Sequence, residues 1–168
     1  MNAYIRRMSK SDVDDVVKLE ALSYGEHHWS KESFYNELEN NLAYYYCAVD
    51  ENNRLIGYGG CWHIFEEAHI TTLSVHPDFR KQGVAQKLIF AIVDDCYKAK
   101  IKYITLEVRE SNVAAISLYE KNGFKSIGTR KGYYQDNNEN ALIMFTENIW
   151  YEKFRKRYTK LHQELQIK

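Results

Sequence analysis

The apolar positions change period several times along the chain, and each change marks an element. Tyr4 to Met8 reads as a short strand. Ser9 or Ser11 can then cap a helix in which Val13, Val16, Val17, Glu20 and Ala21 recur at helical spacing. Ser30 offers a second cap, with Phe34 and Leu38 on one face of a short helix ending near Asn40-Asn41. The runs from Tyr44 to Val49 and from Leu55 to Trp62 are rich in aromatic and β-branched residues, with turn chemistry at Asp50 to Asn53 between them, so they predict an antiparallel hairpin. Ala68 to Val75 is a further strand, stopped by Pro77, which has no N–H to give to a ladder.

Beyond Pro77 the spacing turns helical again, with Ala85, Leu88, Ile89, Ile92, Val93 and Cys96 on one side. Tyr103 to Val108 alternates, which sets Ile104, Leu106 and Val108 on one face of a strand and Tyr103, Thr105 and Glu107 on the other. Ser111-Asn112 caps a helix that Asn122-Gly123 ends, and two last strands, Phe124 to Arg130 and Ala141 to Phe145, flank a polar loop from Gln135 to Asn140. This order predicts an α/β chain with a mixed sheet and helices on both faces. After Ile149 the residues Trp150, Phe154, Tyr158, Leu161 and Leu165 step at helical spacing beside Lys153, Arg155, Lys156, Arg157 and Lys160. The expected division is therefore a domain over 1–149 and an appended amphipathic basic helix over 150–168.

A length of 168 residues suits one such domain with a core of its own. Lysine plus arginine equal aspartate plus glutamate at 23 each, so the chain has no global pull toward nucleic acid or an anionic membrane. The basic run after residue 150 reads as the solvated face of a helix, and no direct nucleic-acid partner is expected. No stretch approaches the roughly 18 apolar residues of a membrane span, and the first residues lack the apolar core of a signal peptide. A soluble, cytoplasmic protein without a membrane partner is the expectation. Cys47, Cys61 and Cys96 are odd in number and widely spaced, which predicts buried thiols, and no donor set at ligand spacing predicts a metal.

Two places carry candidate chemistry. The stretch Arg80-Lys81-Gln82-Gly83-Val84-Ala85-Gln86 lies between a strand and a helix. Unpaired first-turn amides, the positive end of the helix dipole and a glycine that admits close approach suit such a loop to phosphate, and Arg80 and Lys81 add charge. It is neither the P-loop of nucleotide hydrolases nor a GxGxxG dinucleotide turn. Glu107 and Tyr119 pair a group that can take a proton with one that can give it, on neighbouring elements. By spacing alone, Glu107 also fits a solvated strand-edge charge and Tyr119 a core aromatic.

Arg-x-x-Gly-x-Ala after a strand resembles the acetyl-coenzyme A pyrophosphate loop of the GNAT acyltransferase family. Residues 106 to 124, reading Leu-Glu-Val-Arg-x-Ser-Asn-x-x-Ala-x-x-Leu-Tyr-x-x-x-Gly-Phe, resemble the ribosomal-protein-alanine N-acetyltransferases of the RimI type, as do Arg130 to Tyr134 and Glu139 to Met144. The likeness is dense from 68 to 144 and thin before that, apart from Trp29-Ser30. It implies the GNAT fold, with a mostly antiparallel central sheet, and acetyl-CoA as co-substrate without a metal. It further implies that Leu73, Ser74 and Val75 offer backbone groups to the pantetheine arm, that Arg80, Lys81, Gln82, Gly83, Val84, Ala85 and Gln86 hold the pyrophosphate, and that Asn112 contacts the arm near the thioester besides capping its helix. Glu107 would be the general base and Tyr119 the general acid in direct transfer of acetyl to the N-terminal alanine of a small-subunit ribosomal protein. Trp29, Tyr133 and Tyr134 would wall the acceptor peptide. The enzyme would act as a monomer or weak dimer. A broader N-terminal acetyltransferase and a non-catalytic coenzyme A-binding module are the alternatives.

Overall fold

A computed structural model of the chain describes residues 2–167; Met1 and Lys168, the outer ends of the two expected segments, lie outside the described residues, as do the side chains of His27 and Ile167. The elements are β1 (Tyr4–Arg7), α1 (Val13–Tyr24), α2 (Lys31–Glu39), β2 (Ala43–Val49), β3 (Leu55–Ile64), β4 (Glu67–Val75), α3 (Val84–Lys98), β5 (Tyr103–Arg109), α4 (Val113–Lys121), β6 (Phe124–Arg130), β7 (Ala141–Thr146) and α5 (Glu152–Ile167). The strands hydrogen-bond in the order β1-β2-β3-β4-β5-β7-β6, a mostly antiparallel sheet in which β4 and β5 run parallel. The element order is the one the apolar periods predict.

Two compact units divide the chain: the N-terminal residues to His63 with Thr71–Asp95, and Ile64–Ile70 with the residues from Cys96 onward. In the first, Val13, Val16 and Leu19 of α1, Phe34 of α2 and Tyr45, Cys47 and Tyr58 of the hairpin share one apolar core. The carboxylates that reach toward it have partners, as an unpaired buried polar atom costs about as much as the hydrogen bond it forfeits. Glu37 of α2 accepts from Tyr45 Oη at 2.8 Å and from Trp62 Nε1 at 2.6 Å. Glu20, which the sequence placed on the apolar face of α1, is buried and accepts from the Tyr58 hydroxyl and from the Trp29 amide at 3.0 Å. Burial pushes the Glu20 carboxyl up, against the pull of those two donors. Ser30 caps α2 by accepting from the Ser33 amide at 3.1 Å, as its position before Lys31 predicts.

In the second unit, Ile104, Leu106 and Val108 of β5 are buried while Tyr103, Thr105 and Glu107 are half-buried, so the alternation seen in the sequence is the alternation of the strand. Phe124, Met144 and Ile149 are buried too. The helix α5 buries Phe154 and Leu161, and Tyr158 meets Tyr97 edge to face at 6.0 Å. Its Lys153, Arg155, Lys156 and Lys160 are exposed. Cys47, Cys61 and Cys96 are buried and form no disulfide. Burial pushes the Cys47 and Cys61 thiols up to about 12, which leaves them inert as nucleophiles.

Candidate active site

In the first unit β4 ends at Val75, a short turn follows at Pro77–Phe79, and α3 begins at Val84. His76 holds the turn by accepting the Asp78 amide at 3.1 Å on Nδ1, and Arg80 donates from Nε to the Val75 carbonyl at 3.4 Å. Lys81 and Gly83 both adopt left-handed backbone, at φ 60° and 82°. A lone left-handed lysine is uncommon, and the glycine supplies the second such step without a Cβ penalty. The amide of Lys87 donates to the Gly83 carbonyl at 3.0 Å, so Val84, Ala85 and Gln86 form the first turn, whose amides precede that bond. Arg80, Lys81 and Gln82 are exposed, Gly83 and Ala85 half-buried, Val84 and Gln86 buried. A fifteen-residue helix opening on this loop aims its positive end at the same place. The groups present suit a pyrophosphate.

Just upstream, Leu73 and Val75 are half-buried and Ser74 is buried, with its Oγ 3.3 Å from the Tyr24 hydroxyl. The parallel pairing of β4 with β5 runs from Glu67↔Tyr103 to Ile70↔Leu106, whereas β4 continues to Val75 and β5 to Arg109. Trp29 is half-buried against Phe34, with ring centroids 5.3 Å apart, so its indole serves the core of this unit.

The second unit holds the proton-transfer candidates. Glu107 is only 12% exposed, and both of its oxygens have partners: Oε2 lies 2.5 Å from His69 Nε2, and Oε1 lies 3.4 Å from Arg130 Nε. Strand register explains both contacts. His69 pairs with Thr105, whose side chain shares the Glu107 face, so His69 stands beside that face on the neighbouring strand. Ile143 of β7 pairs with Glu107 on one side and with Gly128 on the other, and Arg130 lies two residues beyond Gly128 on the same face of β6. Neither His69 nor Arg130 stood out as a site residue in the sequence. Parity on β4 marks His69 as turned away from buried Ala68 and Ile70, but only the parallel register shows that it meets Glu107.

Tyr119 of α4 is 6% exposed and packs edge to face on Phe124 at 5.5 Å. Asn112 caps α4 by accepting the Ala115 amide at 3.1 Å on Oδ1. Arg109, two residues beyond Glu107, organises the loop between β6 and β7. Its guanidinium donates to Asp136 at 2.7 Å and to Glu139 at 3.4 Å, and its Cζ lies 3.9 Å from the centroid of the Tyr134 ring. Tyr133 meets Tyr134 edge to face at 5.1 Å and is exposed. A planar cation stacked on one aromatic and paired with two carboxylates holds a loop in one conformation more firmly than a lysine could.

The model of the Acetyltransferase (GNAT) family matches residues 13–124. A Bacillus subtilis (strain 168) protein, provisionally named a ribosomal protein bS18-alanine N-acetyltransferase, is 38% identical over 143 residues, which cover 85% of this chain and 94% of that protein. The crystal structure of the ribosomal-protein-S18-alanine N-acetyltransferase from Escherichia coli superposes with a TM-score of 0.78 at 26% identity, covering 88% of this chain and 94% of that one. A chain of the NatC complex bound to Gag peptide and CoA superposes with a TM-score of 0.77 at 25% identity, covering 88% and 99%. Sequence and fold therefore agree, and the chain is an N-acetyltransferase that belongs to the GNAT family.

Proposed function

We propose that the enzyme transfers acetyl from acetyl-CoA to the α-amino group of an N-terminal alanine on a small-subunit ribosomal protein, with Glu107 as general base and Tyr119 as general acid. The observation that carries the mechanism is the Glu107 carboxylate, turned out of the aliphatic layer of β5 yet held at both oxygens. The acceptor comes from the relatives' names.

Acetyl-CoA supplies the activated acyl group. The loop Arg80 to Gln86 grips its pyrophosphate, Leu73, Ser74 and Val75 offer backbone groups to its arm, and Asn112 lies near the thioester. An α-amine with a pKa of roughly 7.7 to 8.0 is mostly protonated at neutral pH and cannot attack until it loses a proton. Glu107 takes that proton, directly or through a water. The nitrogen then forms its bond to the thioester carbonyl carbon, the carbon–sulfur bond breaks, and Tyr119 gives its phenolic proton to the departing sulfur, while the second proton that the nitrogen sheds as it becomes an amide returns through solvent to restore the phenol. No acyl-enzyme forms. Trp29, Tyr133 and Tyr134 are the acceptor-side aromatics, with Trp29 working from within its packed position.

The same reading sets the enzyme in the cytoplasm, as a monomer or weak dimer acting on a protein N terminus. Among the described residues, no helix is long and apolar enough to cross a membrane. A second reading, a broader N-terminal acetyltransferase, is favoured by the likeness to NatC at a TM-score of 0.77. Mass spectrometry of peptides beginning with Ala, Ser and Met, incubated with acetyl-CoA, separates the two: alanine-led peptides are expected to dominate kcat/KM. Similar values for all three favour the broader enzyme, and no transfer to any leaves a coenzyme A-binding module.

Because Arg109 holds the loop bearing Tyr133 and Tyr134, Arg109→Ala is expected to raise KM for the acceptor peptide about tenfold, the loss of roughly 1.4 kcal/mol of binding. The KM for acetyl-CoA should move less than twofold. Steady-state kinetics with each substrate varied in turn checks this, and a change confined to the acetyl-CoA KM would refute it.

A further inference from the structure

We propose that His69 is the proton outlet of Glu107, a positioning and relay residue that carries the acceptor amine's proton from the base to solvent. The inference rests on the reading of Glu107 as the base. Three observations support it. His69 Nε2 and Glu107 Oε2 are 2.5 Å apart, close enough for a proton to pass directly. The two side chains differ in access: Glu107 is 12% exposed and His69 32%, so the imidazole reaches solvent more readily than the carboxylate does. The other carboxylate oxygen faces Arg130 at 3.4 Å, and a permanently charged guanidinium can neither accept nor pass on the proton. Of these two partners of Glu107, only His69 can carry a proton onward.

The base must be emptied once per turnover, because each acceptor ammonium delivers one proton and the next cannot be served by a carboxylic acid. In the relay, the amine's proton bonds to Glu107 and passes from Oε2 to Nε2 of an imidazole that carries its own proton on Nδ1. The resulting imidazolium loses the Nδ1 proton to water. Exchange with solvent restores the starting tautomer, and the net result is one proton released and Glu107 returned to carboxylate. Imidazole suits the task because one of its nitrogens can accept a proton while the other gives one up. The strand geometry suits it as well: His69 is fixed by the β4 ladder beside Thr105, so the ring is presented to Glu107 by backbone pairing and not by a mobile loop.

The test is a cycle of three variants in the full chain, His69→Ala, Glu107→Gln and the double variant, assayed with acetyl-CoA and an alanine-led peptide. His69→Ala is expected to lower kcat about 10- to 100-fold while the KM for acetyl-CoA stays within twofold. Added imidazole should enter the space left by the half-exposed ring and restore kcat in proportion to its concentration. The double variant should be no slower than Glu107→Gln alone, since an outlet has nothing to drain once the base is gone. Unchanged kcat in His69→Ala beside a large loss in Glu107→Gln overturns the relay and leaves the base in place. A loss in His69→Ala that ignores imidazole and adds to that of Glu107→Gln assigns the histidine a packing role, which also overturns it. Unchanged kcat in Glu107→Gln removes the base reading itself, and the relay with it.

Discussion

Glu107→Gln is expected to lower kcat by roughly 10²- to 10⁴-fold, the range that a positioned general base contributes. The substitution isolates proton transfer because glutamine matches glutamate in shape and leaves β5 its pairing with Ile143. Its amide oxygen can still accept one hydrogen bond from His69 or Arg130, the groups that flank the carboxylate. What is removed is the negative charge and, with it, the ability to take a proton. Binding of acetyl-CoA should be retained, since the residues proposed for it lie on β4, on the loop before α3, in the first turn of α3 and at Asn112. Steady-state kinetics with acetyl-CoA and peptide each at saturation measures kcat, and a melting curve reports whether the fold survives. A variant that turns over within threefold of the parent would remove Glu107 from the base role. A loss confined to the peptide KM would recast it as an acceptor-binding group.

The elements were legible because each depends on neighbours a few residues away. Ser30 and Asn112 cap α2 and α4 by accepting amides three residues on, a relation written in consecutive letters. The outward turn of Glu107 follows from the alternation of Ile104, Leu106 and Val108 in the same strand. What surrounds Glu107 was not legible, because His69 and Arg130 reach it from other strands, 38 and 23 positions away along the chain. Periodicity assigns a residue to a face but does not say which strand lies alongside, or in which register. Glu20 illustrates the same limit from the core side. Its spacing placed it on the buried face of α1, but the Tyr58 hydroxyl that makes a buried carboxylate tolerable lies on β3, 38 residues later. Trp29 shows the converse: an aromatic expected to wall the acceptor is held by Phe34 and its amide is tied to Glu20.

The hairpin strand β3 carries the second large effect. Its glycines are poor strand formers, and only the residues facing them explain their presence. At Gly60 a Cβ would lie 2.2 Å from Cδ1 of the Tyr45 ring and 2.3 Å from Cε1, inside any contact that a methyl group can make. The ring has no room to yield. Tyr45 is 2% exposed, and its hydroxyl is fixed by Glu37 at 2.8 Å and Thr71 at 2.9 Å, so rotating the ring would break two hydrogen bonds at once. Gly60→Ala is therefore expected to destabilise the protein by about 3 kcal/mol, the upper part of the range for overpacking, and to lower Tm by roughly 6–12 °C for a chain of this size. Thermal unfolding followed by circular dichroism measures the shift. Pairing the substitution with Tyr45→Leu tests its cause. If the clash with the ring is responsible, the double variant should lose clearly less stability than the two single losses added together, because the smaller side chain vacates the space the new methyl needs. Strict additivity would place the cost of Gly60→Ala in the backbone of β3 and not in its contact with Tyr45.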